Sequence, residues 1–184
     1  MRVLIGLLVL GLAYVIWRVS SGPSKALPTS PGPTVQLRDM VLTRELFRGI
    51  PPAAGKEPRC VLMDWTIDDG NTATLVAFED GATSLYYGTG GGIIGAGEHE
   101  SVRTVAAAFR AAAARAAAHF HPSETFPLPP THAVTFYLVS DSITLTAGPL
   151  SVEEQGNWNP DLSALGDLGQ ELIAAIRQVA PPAP

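Results

Sequence analysis

Positive charge is scarce in this chain and nowhere clustered. Twelve Lys and Arg stand against seventeen Asp and Glu, for a formal net charge of -5. Without a contiguous basic patch there is no field to hold a phosphate backbone, so nucleic-acid binding is excluded. Cysteine is rarer still: Cys60 is the only one. That rules out an internal disulfide and a Cys-based zinc cage, and its place in an apolar run marks it as a small buried hydrophobe. No internal repeat is visible, and no G-x-S-x-G elbow presents a nucleophilic serine. What remains is ample for a core. With 46% apolar and 16% charged residues among 184, the chain has room for one globular domain and a short appendage, and disorder is not expected for most of it.

The appendage is N-terminal. Val3 to Trp17 is fifteen residues without a charge, and Arg18 can snorkel to an interface, so residues 1–19 are expected to be a single-pass membrane anchor. A cleaved signal peptide is the rival reading. Against it, Tyr14, Trp17 and Arg18 sit where small residues are wanted, and only Val19-Ser20-Ser21 offers a weak cleavage site. Orientation is nearly balanced, with the α-amino group and Arg2 on one side, Arg18 and Lys25 on the other. The stalk-like Ser/Pro/Thr spacer points to a domain outside the cytoplasm. In that spacer, residues 20–36, Pro23, Pro28, Pro31 and Pro33 prevent any regular ladder. The globular domain is expected over 37–179, with a disordered Pro/Ala tail at 180–184.

Within the domain, a short helix is expected to be capped around Asp39, with Met40, Leu46 and Phe47 on one side and Gly49 as its stop before Pro51-Pro52. Residues 60–67 alternate, with Val61, Met63, Trp65 and Ile67 on one face. Asp68-Asp69-Gly70-Asn71 then supplies a tight hairpin into Thr72–Phe78, and Glu79-Asp80-Gly81 turns the chain into Ala82–Tyr87. Asp68, Asp69, Glu79 and Asp80 are turn acids, more naturally bonded to local N–H groups than catalytic. A helix is expected from Glu98 to about His119, with Val102, Val105, Phe109 and Ala116 recurring at helical spacing. Its ten alanines between Ala106 and Ala118 make it slim, which suits close approach of the sheet or of a second copy in a homodimer. After a Pro-rich loop over 122–130, Ala133–Ser140 and Ile143–Ala147 read as strands. Asn159 and Pro160 then open a last helix with Leu162, Leu165, Leu168, Leu172 and Ile176 as its buried stripe. The sum is an α+β domain of order α-βββ-α-ββ-α, an antiparallel sheet of about five strands carrying helices.

Six glycines fall within residues 88–97, between a strand and the Ala-rich helix. Such density fits backbone that needs positive φ or a close approach. Gly90-Gly91-Gly92-Ile93-Ile94-Gly95 satisfies G-x-G-x-x-G ahead of a helix, the local condition for phosphate on helix N-terminal N–H groups. Antiparallel surroundings, and Asp141 as the next acid at a strand end, far beyond the expected spacing, argue against a dinucleotide site. Glu98 and Glu100 also answer the helix dipole themselves. The loop is therefore either a structural crossover or a binding site for a small ligand or protein partner, formed by Gly90, Gly91, Gly92, Gly95, Gly97, His99 and Arg103. His99 and Arg103 lie one helical turn apart, a titratable base beside a cation. The alternative function is an enzyme using His99 with Glu98 or Glu100 as acid–base groups. The bland reading of the same residues is a self-capped first turn with a solvent-facing His.

No cofactor is expected, and no metal. His119, His121 and His132, with Glu124 nearby, match no established ligand spacing. His99 cannot join them, because about twenty helical residues at 1.5 Å each separate it from His119 by roughly 30 Å. Trp158, among amides ahead of the last helix, suits a staple onto that helix better than a stacking platform for a sugar.

Asp80-Gly81-Ala82-Thr83-Ser84-Leu85-Tyr86-Tyr87, followed by Gly90 through Glu100 and by Val102-Arg103, resembles a segment of a group of uncharacterised bacterial proteins. The resemblance covers roughly residues 58–178 and is strongest at the glycines. It implies a fold unit and a focal site at the loop, and no reaction. The N-terminal anchor and stalk set this chain apart from many of that group. The order of elements is also similar to that of roadblock and profilin-like domains, a topological likeness without a shared motif.

Overall fold

A computed structural model of the chain describes residues 33–51 and 58–180. The expected anchor, most of the linker and the C-terminal tail lie outside the described residues. Among the described residues no helix is long and apolar enough to cross a membrane. The described residues belong to one compact unit.

The framework is an antiparallel sheet with a central strand flanked on both sides. Strand β1 (Cys60–Asp68) pairs with β2 (Asn71–Phe78) through the expected Asp69-Gly70 hairpin, and with β6 (Ala133–Val139) on its other edge. Beyond β2 comes β3 (Thr83–Tyr87), and beyond β6 comes β7 (Thr144–Ser151). Two further strands bring the total to seven rather than five, β4 (Gly92–Ile93) on β3 and β5 (His121–Pro122) on β7. Both are two residues long and carry a Gly or a Pro, so no period-2 pattern announces them. The order across the sheet is β4-β3-β2-β1-β6-β7-β5.

Successive side chains on a strand point to opposite faces, and here the two faces differ in chemistry. Val61, Met63, Leu75, Leu85, Phe136 and Leu138 lie in one apolar cluster with the buried stripes of α2 (Glu100–Arg115) and α3 (Pro160–Val179). Asn159 caps α3 as expected, its Oδ1 accepting the Asp161 N–H at 2.9 Å. Ala106, Ala112 and Ala113 of α2, with Ala116 just beyond its end, are buried in this packing, while the other six alanines of the run are exposed. Leu168, expected in the α3 stripe, is only partly buried, and Ile173 is buried beside it. α2 begins at Glu100, two residues later than expected, and gives way to a 3-10 turn at Ala116–His119.

The opposite face is covered by α1 (Pro33–Leu42). This helix does not start at Asp39. It begins at Pro33, inside the stretch expected to be linker, and Asp39 lies in its second half. Proline is pre-organised for a first helical turn, and tertiary contacts fix the rest: the Thr34 hydroxyl donates to Tyr87 O at 3.3 Å, and Arg38 is drawn into the sheet. Val41 and Leu42 are buried against Cys60, Leu62, Val76 and Val139, with Leu46 and Phe47 packing beside them, whereas Met40 faces outward. Arg44 in the left-handed region (φ 65°) ends the helix, and Glu45–Phe47 continues as a 3-10 turn.

Candidate functional site

The glycine stretch closes the β3–β4 turn. Gly90 N–H donates to Tyr87 O at 2.9 Å and Tyr87 N–H to Gly91 O at 3.1 Å. Gly90, Gly91 and Gly95 have positive φ and open space around them. Gly92 and Gly97 are required by close approach: a Cβ on Gly92 would sit 2.5 Å from Leu85 O, and one on Gly97 would run into Gly81 O. His99 occupies the N-cap of α2, exposed and making no capping bond with its side chain. Arg103 folds back, Nη1 donating to Gly97 O at 3.1 Å and to Glu98 O at 2.7 Å, so its cation ties the loop backbone to the helix. Glu98 and Glu100 are exposed. Residues 89–103 line none of the cavities described below. Ile94 stands out instead, 71% exposed at the edge of this loop.

The histidines go separate ways. His119 Nε2 lies 3.9 Å from Asp161, His132 Nδ1 lies 3.2 Å from Glu153, and His121 sits on β5 opposite Thr146. Among the described residues no group of three His, Cys, Asp or Glu is placed to hold a metal. Trp158 packs edge-on to Phe136, ring centroids 6.5 Å apart, and donates its Nε1–H to Ser151 O at 2.9 Å. Of the turn acids, Asp80 is bonded locally, accepting from Ala82 N–H, whereas Asp69 accepts from the distant Thr131 hydroxyl and Glu79 pairs with Arg59 at 3.0 Å. The Cys60 thiol is buried, and burial pushes its pKa up, so it is an inert hydrophobe.

The densest polar chemistry lies under α1. Asp64 is 0% exposed and Arg38 5%. Arg38 Nε and Nη2 converge on Asp64 Oδ2 at 2.8 and 2.7 Å, and the Thr74 hydroxyl donates to the other oxygen at 2.6 Å. Arg38 Nη2 also donates to Phe126 O at 2.9 Å, and its guanidinium stands 5.9 Å from the Tyr137 ring. Burial works against the Arg38 charge, but Asp64 overcomes it and holds its pKa above the ordinary value. Burial pushes the Asp64 carboxyl up, against the pull of Arg38 and Thr74. Tyr137 is pushed up to about 12 by burial and by the Asp64 charge. Around this pair the face is built of hydroxyls: Thr66, Thr72, Thr74, Ser84 and Thr135 are all buried, and Thr66 and Thr72 bond one another at 2.9 Å. A cavity of about 50 Å³ lies between α1 and Thr72, Thr74 and Tyr86.

Alongside runs a larger groove. The Pro-rich loop folds back over β6 and β7, held by the Arg38 bond to Phe126 O and by the Tyr137 hydroxyl donating to Pro127 O at 3.2 Å. Between loop and sheet is a cavity of about 400 Å³ lined by Ser123, Thr125, Leu128, Thr135, Tyr137 and Thr146, together with prolines and Gly148. No charged side chain is among its lining residues. The Thr135 hydroxyl is buried without a hydrogen-bond partner. Gly148 (φ 123°) crosses directly above, where a Cβ would come within 2.8 Å of Val134 O and 3.3 Å of Thr135 Oγ1. A further depression of about 390 Å³ is lined by Phe47, Phe78, Arg59, Glu79 and Asp80 among others; Arg59 pairs with Glu79 and Asp80 accepts from Ala82 N–H.

None of Asp64, Arg38, Thr135 or Tyr137 stands out from residue pattern as a site residue. One signal was available for Asp64, a carboxylate inside the apolar run Cys60-Val61-Leu62-Met63 and Trp65. Its partner lies 26 residues away on a helix, and no local spacing joins them. Searches for related proteins returned no matching family model, no matching curated protein and no matching solved structure.

Proposed function

We propose that this protein is a binding module held at a membrane by its N-terminal apolar segment, and that it takes a small, uncharged, hydroxyl-bearing ligand in the groove beneath the Pro-rich loop. The observation that carries this reading is the buried, unpartnered Thr135 hydroxyl in a groove of about 400 Å³ without charged lining residues. Thr135 lines the groove while its hydroxyl is sealed from it, so a ligand reaches that oxygen only on a local opening, which would relieve the roughly 1–3 kcal/mol cost of a buried hydroxyl left without a partner. The volume lies within the range of small-molecule sites, and apolar walls with a few hydroxyls are the usual lining of such sites. The neutral lining argues for neutral ligands over organic acids and phosphates. The membrane tether rests on Val3–Trp17, and a C-terminal reporter fusion tests its orientation.

The test is a thermal-shift screen of the full chain in mild detergent against polyols, neutral sugars and blocked dipeptides, since a ligand specific for the folded state raises the melting temperature by mass action. Hits are then mapped by amide chemical shifts at Thr135, Thr146 and Gly148. A shift abolished by a Thr135→Val substitution supports the groove. Hits that leave these amides unmoved, or no hit at tens of millimolar, sink it.

The exposed Ile94 favours a second reading, a protein partner at the 88–103 loop. An apolar side chain set in flexible glycine backbone suits an anchor that adapts to a pocket. A photocrosslinker at position 94 that captures no discrete partner in native membranes would remove that reading. His99, the base of the alternative acid–base reading, is exposed and lines none of the cavities described above.

A further inference from the structure

We infer that the sheet face beneath α1 is a receptor site for an alkylguanidinium group, filled in cis by Arg38. Every element of guanidinium recognition is present and, apart from Asp39, belongs to the sheet or the Pro-rich loop rather than to the helix that supplies the cation. Asp64 offers a fully buried carboxylate oxygen to both Nε and Nη2. Thr74 fixes that carboxylate from behind by donating to its second oxygen at 2.6 Å. Phe126 O takes a further N–H at 2.9 Å, and the Tyr137 ring faces the cation at 5.9 Å. Carboxylate, carbonyl and aromatic ring together match a planar cation with a fork of donors better than they match a compact ammonium.

The helix is docked unevenly over this site. Its C-terminal end is embedded, with Val41 and Leu42 buried among apolar side chains. Its first two turns lie over Thr72, Thr74 and Tyr86, with Leu37 packed on the apolar cluster; Thr34 bonds Tyr87 O at 3.3 Å and Arg38 reaches Asp64. Lifting those turns exposes hydroxyls that water satisfies readily, at the cost of the apolar contacts of Leu37 and Tyr86. The 50 Å³ cavity lined by Thr34, Val35, Arg38 and Thr74 already separates this end of the helix from the sheet. An incoming alkylguanidinium therefore competes with Arg38 for Asp64, and α1 acts as an internal ligand that its displacement would release. This inference does not depend on the neutral-ligand groove.

Chemical rescue tests it. In the full chain, Arg38→Ala leaves Asp64 buried without its cation, and we expect a markedly lowered melting temperature. Ethylguanidinium at low millimolar concentration should recover roughly 3 °C or more, while ethylammonium at equal concentration should not. The rescue should vanish in the Arg38→Ala/Asp64→Asn double variant. If Arg38→Ala fails to fold, recovery of folded protein on refolding with ethylguanidinium is the readout, with the same ethylammonium control. Free arginine and acetylated, amidated arginine run alongside separate an amino-acid ligand from an arginine within a peptide. In wild type, ethylguanidinium but not ethylammonium should speed hydrogen exchange of the amides at 36–42. Rescue by both cations, rescue that survives Asp64→Asn, or absence of both rescue and faster exchange overturns the inference.

Discussion

The Arg38–Asp64 pair permits a test in which magnitude decides between structures. If the pair is as enclosed as its 5% and 0% exposures indicate, removing one partner strands the other's charge in a low dielectric. Breaking a buried pair in this way costs about 3–5 kcal/mol. Asp64→Ala loses the two Arg38 contacts and the Thr74 bond together, leaving Arg38 with Phe126 O and the exposed Asp39. We place Asp64→Ala near the upper end of that range. Arg38→Met should fall near the lower end, because the Thr74 bond survives and burial favours a carboxyl that can take up a proton. The double replacement, Arg38→Met with Asp64→Leu, removes both charges and fills similar volume. Such exchanges are often close to neutral, so the double variant should be more stable than either single one, with a coupling of about 2–3 kcal/mol.

Urea denaturation measures this. A domain of this size has a slope of roughly 2 kcal/mol per molar urea, so Asp64→Ala should lower the midpoint by about 2 M with an unchanged slope. The exposed Glu45–Arg48 pair, 3.7 Å apart, serves as a control, and breaking it should shift nothing beyond error. A loss below about 1 kcal/mol for Asp64→Ala, or strict additivity in the double variant, would show that water reaches the pair and that α1 is not docked over it.

Three other outcomes follow from the same geometry. Tyr137 holds its proton up to about pH 12 in the folded state against about 10 when unfolded, so the fold binds that proton more tightly. The stability this contributes is complete below pH 10 and is lost as pH rises towards 12, about 3 kcal/mol in all, whereas Tyr137→Phe should show no such loss. Tyrosinate absorbance, followed during the same titration, should lose its latest phase in that variant. Gly97→Ala should cost about 1–3 kcal/mol by driving a methyl group into Gly81 O, while His99→Ala should stay within about 0.5 kcal/mol, and a reversal of that order in thermal melts would make His99 a structural residue. Thr135→Val replaces an unpartnered hydroxyl with a methyl group and should be neutral or stabilising in urea, so a loss above about 1 kcal/mol would mean the hydroxyl has a partner in solution.

The parts of the fold that were legible in the sequence are those set by local pattern. The alternation in 60–67 and 133–140, the Asp68-Asp69-Gly70-Asn71 turn and the Asn159-Pro160 start are each decided within a few residues, and all three are present. α1 was misplaced because an Asp followed by apolar residues resembles a cap. Its true start is set by contacts to Tyr87 and Asp64, tens of residues away. The two extra strands exist because neighbouring strands supply the pairing partners, and Gly92 or Pro122 alone carries no strand signal. The same limit applies to the sites. A dense glycine run can be seen at once, but whether its glycines serve a ligand or a backbone crossing depends on where Leu85 and Gly81 lie. The alternation that put Val61, Met63 and Trp65 on one face also put Cys60, Leu62, Asp64 and Thr66 on the other, and the Asp in that second set marked the more consequential side.

The contrast between the two faces bears on where function can reside. Cost of opening follows the chemistry exposed, because apolar burial contributes about 25 cal/mol per Å² and hydrogen-bonded hydroxyls can exchange partners with water. Separating α2 and α3 from the sheet uncovers Met63, Leu75, Leu85, Phe109 and Phe136 together, which amounts to global unfolding. Lifting the start of α1 uncovers Thr72, Thr74 and a charge pair beside a preformed cavity, together with the smaller apolar surface of Leu37 and Tyr86. Segments that move for binding come from the low-stability end of a structure, where we place the start of α1. The threonine face beneath it lies beside the groove, and Arg38 bonds Asp64 on the sheet and Phe126 O in the Pro-rich loop, whose neighbours Thr125 and Pro127 line the groove. If the groove is the ligand site proposed above, a change at the helix would reach the loop that roofs it through one side chain.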